Sequence, residues 1–342
     1  METTIKDIAR SLSLSTSVVS RALSHKPDKS TTVAPETKKR VREAAMRMNY
    51  KSNRLAGSLR RGINPVIGVF MPDFNDSLTG DFIRGLAEAL GETGFYFKLY
   101  YGDMASKYTT FLKNLDNMSM SALISGIGRS MVNTENMNLM IDYKRKGGKI
   151  ILQLDRDNHE KNYFKDFIYV GIDNYSGGKI VAEHFSRCKC KSFIVQRVMN
   201  WPTRYAGCID NLPSEATTLM LDFDNMLTSF DSRYDQLLRQ YLAQLSSDNN
   251  RMPIGIFIQS DRYAPHVINI IRDSGLKFKK DIFLVGYDDM FMASCLEPAL
   301  TTIHQPFYEI GRKLALKAVN CILNKEECSE TITPSFVLRD SG

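Results

Sequence analysis

The hydrophobic positions at the start of the chain repeat at helical spacing. Ile5, Ile8, Ala9 and Leu12 form one apolar stripe, which predicts a short amphipathic helix. Thr4 followed by Asp7 fits a capping box that satisfies orphan amides of the first turn. Ser13-Leu14-Ser15 interrupts the stripe, and Ser15 can cap a second helix carrying Val19, Ala22 and Leu23 on its inner face. A third helix is predicted from Pro35, a good first helical residue, with Val41, Ala44, Ala45 and Met48 inward. Two short helices with a three- or four-residue break form a helix-turn-helix, whose second helix offers its first-turn side chains to base edges. Periodicity alone fits a small helical bundle with no DNA role about equally well.

From Val66 the pattern switches. Short apolar runs at 66–70, 95–101, 122–125, 150–154, 168–170, 193–195, 255–258 and 282–285 alternate with helical stretches such as 82–90, 179–185, 234–245 and 267–271. Strands alternating with helices predict an α/β fold with parallel sheets covered on both faces. The strands are too many for one small sheet, so two doubly wound lobes are expected. Ligands in such sheets sit beyond the carboxyl ends of the strands. Asp73, Phe74 and Asn75 follow the first strand, Asp155 follows the run ending at Leu154, Ser260 follows 255–258, and Asp288 follows 283–286. Trp201 and Arg204 lie after the run near 193–198. Carboxylates and an arginine can hold sugar hydroxyls, while Phe74 or Trp201 could stack on an apolar sugar face. Taken singly, each acid reads more simply as a helix cap or a surface charge.

Charge changes the reading of the first helices. Residues 1–62 hold fourteen Lys and Arg against five Asp and Glu, a net +9, while the whole chain carries +7. The remaining 280 residues therefore carry −2. A balance this one-sided beside a helix-turn-helix pattern reads as a phosphate-binding surface, which supplies salt-sensitive affinity without sequence information.

Other bulk features mostly exclude. A length of 342 residues allows two or three domains, and a hydrophobic fraction of 43% is ordinary for a globular protein. The segment METTIKDIAR lacks a hydrophobic signal region, and no apolar run approaches spanning length, so a cytoplasmic protein without a membrane partner is expected. Six cysteines are too few for a disulfide framework, and Cys188 and Cys190 lack the second pair that a zinc site needs. No metal and no cofactor are expected. An enzyme is disfavoured: Ser125-Gly126-Ile127-Gly128 lacks the features of a phosphate loop, and no histidine lies near a nucleophile motif.

Between the two patterns, residues 51–62 are basic, poor in apolar anchors and weakened as a helix by Gly57. So short a helix is marginal alone. It could form on DNA, where Leu55 or Leu59 could wedge into the minor groove.

The ordered set Thr-Ile-Lys-Asp-Ile-Ala (4–9), S-x-x-x-V-S-R (15–21), Asn49-Tyr50, Asn53-Arg54-Leu55-Ala56 and Leu59 resembles the DNA-binding headpiece of the lactose-repressor family of bacterial transcriptional regulators. Val-Gly-Tyr-Asp-Asp (285–289), Pro-Ala-Leu-Thr-Thr-Ile (298–303), Gln305, the run 173–178 and Arg204-Tyr-Ala-Gly207 extend the likeness to nearly the whole chain. The resemblance implies a three-helix headpiece (1–50), a hinge (51–62) and a periplasmic-binding-protein-like, two-lobed effector-binding and dimerisation domain (63–342). Lobe 1 is expected at about 63–160 and 300–322, lobe 2 at about 161–299 and 323–342. Crossings then fall near 156–166, 291–300 and 322–330.

By position the resemblance makes Thr16, Ser17 and Arg21 base readers, with Thr4, Ser15, Ser20 and Arg54 also on the DNA side. Asn53 and Ala56 fall in the hinge interface, and Leu59 is the wedge. Asp155, Arg204, Ser260 and Asp288 fall at effector-contacting positions. The chain departs from the pattern at Ala34, where a capping serine is usual, at Ser260, where Asn is common, and at Lys189, where a glycine usually ends a helix. The expected function is a homodimeric regulator, a repressor, binding palindromic double-stranded operator DNA under control of a sugar-like effector. Control by a protein partner or a purine-like co-repressor is the alternative, and a sugar transport protein is disfavoured by the basic headpiece.

Overall fold

The computed structural model describes residues 3–23, 33–50, 64–72, 77–91, 93–102, 104–127, 131–155, 164–198, 202–223 and 232–342. The chain separates into two compact units, 1–62 and 63–342.

In the first unit, α1 (Ile5–Ser11), α2 (Thr16–Ala22) and α3 (Pro35–Arg47) close one small core. The expected capping box is present: the Asp7 amide donates to Thr4 Oγ1, and the Thr4 amide donates to Asp7 Oδ2 at 2.9 Å. Ser15 caps α2 by accepting from the Val18 amide at 3.3 Å. The break between them turns at Ser13, in the left-handed region with φ +53°. Ile8, Ala9, Val19, Ala22, Val41, Ala44 and Ala45 meet in the core, the inner faces that the spacing predicts. α3 begins at Pro35 with no side-chain cap from Ala34, a loss of about 1 kcal/mol relative to a capping serine.

The second unit holds two parallel sheets. The first is formed by β1 (Val66–Met71), β2 (Tyr96–Tyr101), β3 (Ala122–Ile127), β4 (Ile150–Asp155), β5 (Ile168–Ile172) and β11 (Glu330–Ile332), in the order β11-β5-β4-β3-β1-β2. Every neighbouring pair is parallel. One face packs on α4 (Ser77–Gly91) and α11 (Phe307–Ile322), the other on α5 (Ala105–Lys113) and α6 (Thr134–Arg145). Central strands such as Ala-Leu-Ile-Ser-Gly-Ile are buried along their length, as sheets covered on both faces require.

The second sheet runs β7-β6-β8-β9, from β6 (Ser192–Val198), β7 (Thr217–Phe223), β8 (Ile254–Phe257) and β9 (Ile282–Val285). It too is wholly parallel. α9 (Ser232–Ser246) and α10 (Ala264–Asp273) cover one face, α7 (Asn174–Arg187) and α8 (Pro202–Ile209) the other. β10 (Thr302–His304) and β12 (Ser335–Val337) form a separate antiparallel pair. Two doubly wound lobes are therefore present.

The crossings lie later in the chain than expected. β5 pairs with β4, so the first passage comes between Ile172 and Asn174 rather than near 156–166. The return falls between His304 and Phe307, and the third passage between Ile332 and Ser335. Apolar alternation shows that a segment is a strand but not which sheet it joins, which is why the expected bounds place 161–172, 300–304 and 323–332 in the wrong lobe.

His184 lies on the inner face of α7, buried, with its ring 4.7 Å from that of Phe336. Burial, helped by Arg187 and Lys279, lowers its pKa from 6.5 to about 4. A base depressed in the folded state is protonated first in the unfolded chain, so stability falls as pH drops below 6.5 and levels off below the folded value. His184→Phe is expected to remove about 2–3 kcal/mol of the acid destabilisation between pH 7 and 4.5, read from urea midpoints at the two pH values. An unchanged pH slope would show that His184 is not the group responsible.

Candidate functional site

The first candidate surface is the outer face of α2. Val19 and Ala22 point into the core, and the 3.6-residue period leaves Thr16, Ser17, Ser20 and Arg21 exposed together. Ser15 is also exposed, but its hydroxyl serves as the cap and lies 2.9 Å from that of Ser17. Arg21 Nε donates to the Ser17 carbonyl at 3.3 Å, which steers the guanidinium along the helix toward its first turn. Thr4 likewise spends its hydroxyl on Asp7. Asn53, Arg54, Ala56 and Leu59 lie outside the described residues.

The second candidate is built at the carboxyl ends of β8 and β9. The Asp288 carboxylate is at its centre, 4% exposed. Its Oδ1 accepts from Arg204 at 3.2 Å and from Gln305 Nε2 at 2.6 Å, and its Oδ2 accepts from the Ser260 hydroxyl at 2.6 Å. Arg204 is 2% exposed. It also donates to Asn174 Oδ1 at 3.1 Å and to the Gln259 carbonyl at 2.8 Å, and its guanidinium carbon lies 4.0 Å from the Tyr287 ring centre. The Tyr287 hydroxyl donates to the same Asn174 oxygen at 2.8 Å. A buried arginine so heavily engaged is a fixed positive group, not a mobile surface charge.

Local sequence explains how these groups converge. α7 and α8 cross closely enough that a Cβ at Gly178 would lie 2.1 Å from the Arg204 carbonyl oxygen, and one at Gly207 2.0 Å from that of Tyr175. Only glycine permits this approach, which sets the Arg204 side chain above Asn174. Asp173 caps α7 by accepting from the Ser176 amide at 3.2 Å, leaving Asn174 for Arg204 and Tyr287. After β9 the backbone holds Asp288 at φ +116° and Asp289 at φ +55°. Non-glycine residues in such conformations store about 1–3 kcal/mol each and concentrate where a side chain must be aimed.

Two neighbouring acids have other work. Asp261 is fully buried and accepts from the Thr302 hydroxyl at 2.7 Å and the Met290 amide at 2.9 Å, clamping the loop after β9. Burial first, then the charge of Asp288, raises its pKa well above the ordinary carboxylate value. Asp289 is held by His304 at 3.0 Å and Arg339 at 2.6 Å, and the His304 hydrogen bond leads the lowering of its pKa. Neither is a free acid or base.

Of the residues expected from sequence, the structure brings Arg204, Ser260 and Asp288 together. Asp155 ends β4, in the other sheet. Asp73, Phe74, Asn75 and Trp201 lie outside the described residues. Asn174, Gln259, Tyr287 and Gln305 join the cluster without having been singled out as contacts. Gln196 and Gln259 add a buried amide pair, the Gln259 amide donating to Gln196 Oε1 at 2.8 Å. Among the described residues no group of three His, Cys, Asp or Glu side chains could hold a metal ion, and no helix is long and apolar enough to cross a membrane. The Ser260 hydroxyl is bound to a carboxylate already held by arginine, an arrangement that fixes hydroxyl partners and activates no nucleophile.

Comparisons with known proteins find relatives for both units of the chain. Residues 4–53 match the family described as "Bacterial regulatory proteins, lacI family", and residues 210–342 match "Periplasmic binding protein-like domain". The regulator RegA of Clostridium saccharobutylicum is 28% identical over 99% of this chain and 97% of its own length. The ribose operon repressor of Lactococcus lactis is 26% identical over 92% and 89%. The fold matches the CelR–cellobiose complex with a TM-score of 0.64 at 20% identity, covering 100% of both chains. It matches the lac repressor dimer bound to operator and the anti-inducer ONPF with 0.65 at 19%, covering 100% of this chain and 99% of that one. A helix-turn-helix unit joined to a periplasmic-binding-protein-like body defines a DNA-binding transcriptional regulator, not an enzyme. Residues 4–53 carry the lacI-family DNA-binding segment, and the chain is similar along nearly its whole length to transcriptional regulators such as RegA.

Proposed function

We propose that this regulator is a homodimeric repressor whose affinity for a palindromic operator is set by a small polyhydroxylated effector, a sugar or sugar derivative. The observation that carries the reading is the Asp288 carboxylate, held by Arg204, Ser260 and Gln305 beyond the strand ends. A fixed carboxylate–guanidinium pair in a water-poor site offers directed acceptors and donors to hydroxyl groups, and its mutual neutralisation disfavours a strongly charged ligand. Support also comes from the cellobiose-bound neighbour and the ribose repressor among the relatives.

Dimerisation follows from the DNA side. One α2 reads only a few base pairs, and two related by a two-fold axis read an inverted repeat. Thr16, Ser17, Ser20 and Arg21 are assigned to base edges, and Asn53, Arg54, Ala56 and Leu59 to the hinge contacts. Gln305 lies between β10 and α11, on a segment joining the two lobes. An effector touching Gln305 and Asp288 can therefore bias the lobe arrangement, provided it binds one arrangement better than the other.

The test is fluorescence anisotropy on inverted-repeat DNA selected by the protein, with and without a panel of pentoses, hexoses, disaccharides and purines. At least one sugar should shift operator affinity tenfold or more and raise the melting temperature. A response confined to purines would replace the effector class. Absence of salt-sensitive binding to any inverted repeat would overturn the proposal.

A further inference from the structure

A cavity of about 460 Å³ opens at the amino ends of β4 and β5, the end of the first sheet opposite to the one that Asp155 terminates. Its walls are the turn after α6 and the segment after α11, and its floor includes Ile150 and Ile168, the first residues of the two strands. The size is that of a small-ligand site. It shares no residue with the cluster around Asp288.

The charge of the walls is uneven. Lys144, Lys149 and Lys325 line the cavity together with Glu326 and Glu327. Glu327 is occupied by Lys317 at 3.2 Å and Asn320 at 2.5 Å. Lys144 donates to the Asp166 carbonyl and lies 5.3 Å from the centre of the Phe167 ring. Among the described residues, Lys149 and Lys325 form no ion pair; the charge of Lys325 acts on Glu327, and Glu326 is the other lining acid. Lysines near the carboxyl end of a helix are explained by the helix dipole alone. A recess of this volume lined by lysines from two separate segments, two of them outside any ion pair, with an aliphatic floor is not.

We propose that this recess is a second ligand site, for a small phosphorylated metabolite. Its phosphate is held between Lys149 and Lys325, and its carbon skeleton lies against Ile150 and Ile168. A bound phosphate would tie the turn after α6 to the segment that leads through β11 to the third crossing. The site would thus report a phosphorylated compound independently of the effector at Asp288.

Thermal shift with glucose 6-phosphate and with inorganic phosphate, against glucose and sodium chloride at matched ionic strength, tests this on the full-length protein. Wild type and Asp288→Asn are both expected to show a saturable shift with at least one phosphate probe. The Lys149→Gln/Lys325→Gln double variant should bind at least tenfold more weakly, and Lys149→Arg/Lys325→Arg should restore binding and confirm that the positions tolerate change. The proposal is overturned if no phosphate probe gives a saturable shift in wild type, or if the glutamine variant responds as wild type does. It is equally overturned if Asp288→Asn alone abolishes the response, which would place the phosphate in the effector site.

Discussion

Replacing Asp288 with alanine is expected to lower the unfolding free energy of the body by about 3–5 kcal/mol, because it strands the buried Arg204 guanidinium without its counter-charge. The Ser260 hydroxyl and the Gln305 amide lose an acceptor at the same time. Removing both charges together should cost far less. An Arg204→Met/Asp288→Ala pair leaves no desolvated ion, so its stability should lie well above the sum of the single changes. Urea unfolding of the four proteins closes the cycle, and simple additivity would show that the two side chains do not work as a pair. Function should follow a different order. Asp288→Asn keeps the shape and much of the hydrogen bonding, so it is expected to fold yet lose the effector response while still binding operator. A normal effector response in that variant would take Asp288 out of the ligand site.

The parts of this molecule that were legible in its sequence are those fixed by local rules. Thr4 and Asp7 announce a helix start because capping is settled within four residues. The buried strands read as continuous apolar runs because both faces of each sheet are covered. β7 is absent from the expected strands: it is an edge strand with Met220 and Asp222 exposed, and its short run Leu219-Met220-Leu221 sits among polar and half-exposed neighbours. The lobe crossings were misplaced because sheet membership is decided by partners far away in the chain, such as Glu330 beside Val170. The site divides along the same line. Arg204, Ser260 and Asp288 stand just beyond strands or at a helix start, where the fold class directs attention. Asn174 is hidden behind Asp173, which takes the cap and makes its neighbour look like ordinary first-turn sequence. Gln305 belongs to the C-terminal resemblance, but no chemistry was attached to it, and its role appears only when the return crossing brings it to Asp288. Lys189 shows the same limit from the other side. It holds φ +55° after the carboxyl end of α7, so the lysine keeps the left-handed conformation for which the resemblance expects a glycine, although lysine itself does not favour it.

Arg21→Ala should leave the headpiece folded, since the side chain is exposed and its described hydrogen bond is local to α2. Its expected effect is a loss of about 1–3 kcal/mol in discrimination between operator and random DNA, the contribution of one bidentate guanidinium to a guanine edge. Lys39→Ala on the exposed face of α3 supplies the contrast. A phosphate contact carries no sequence information, so its loss should weaken binding to all duplexes alike and reduce the slope of log affinity against log salt by about 1. Measuring both variants on operator and scrambled DNA across a salt series separates the two roles. If Arg21→Ala lowers the salt slope and leaves the operator preference intact, the guanidinium grips the backbone. Sequence reading would then rest with Thr16, Ser17 and Ser20, whose hydroxyls reach no farther than the groove edge that α2 itself must approach. The preference should then depend on how closely the helix start packs into the groove. Ser17→Ala should consequently become the more damaging change.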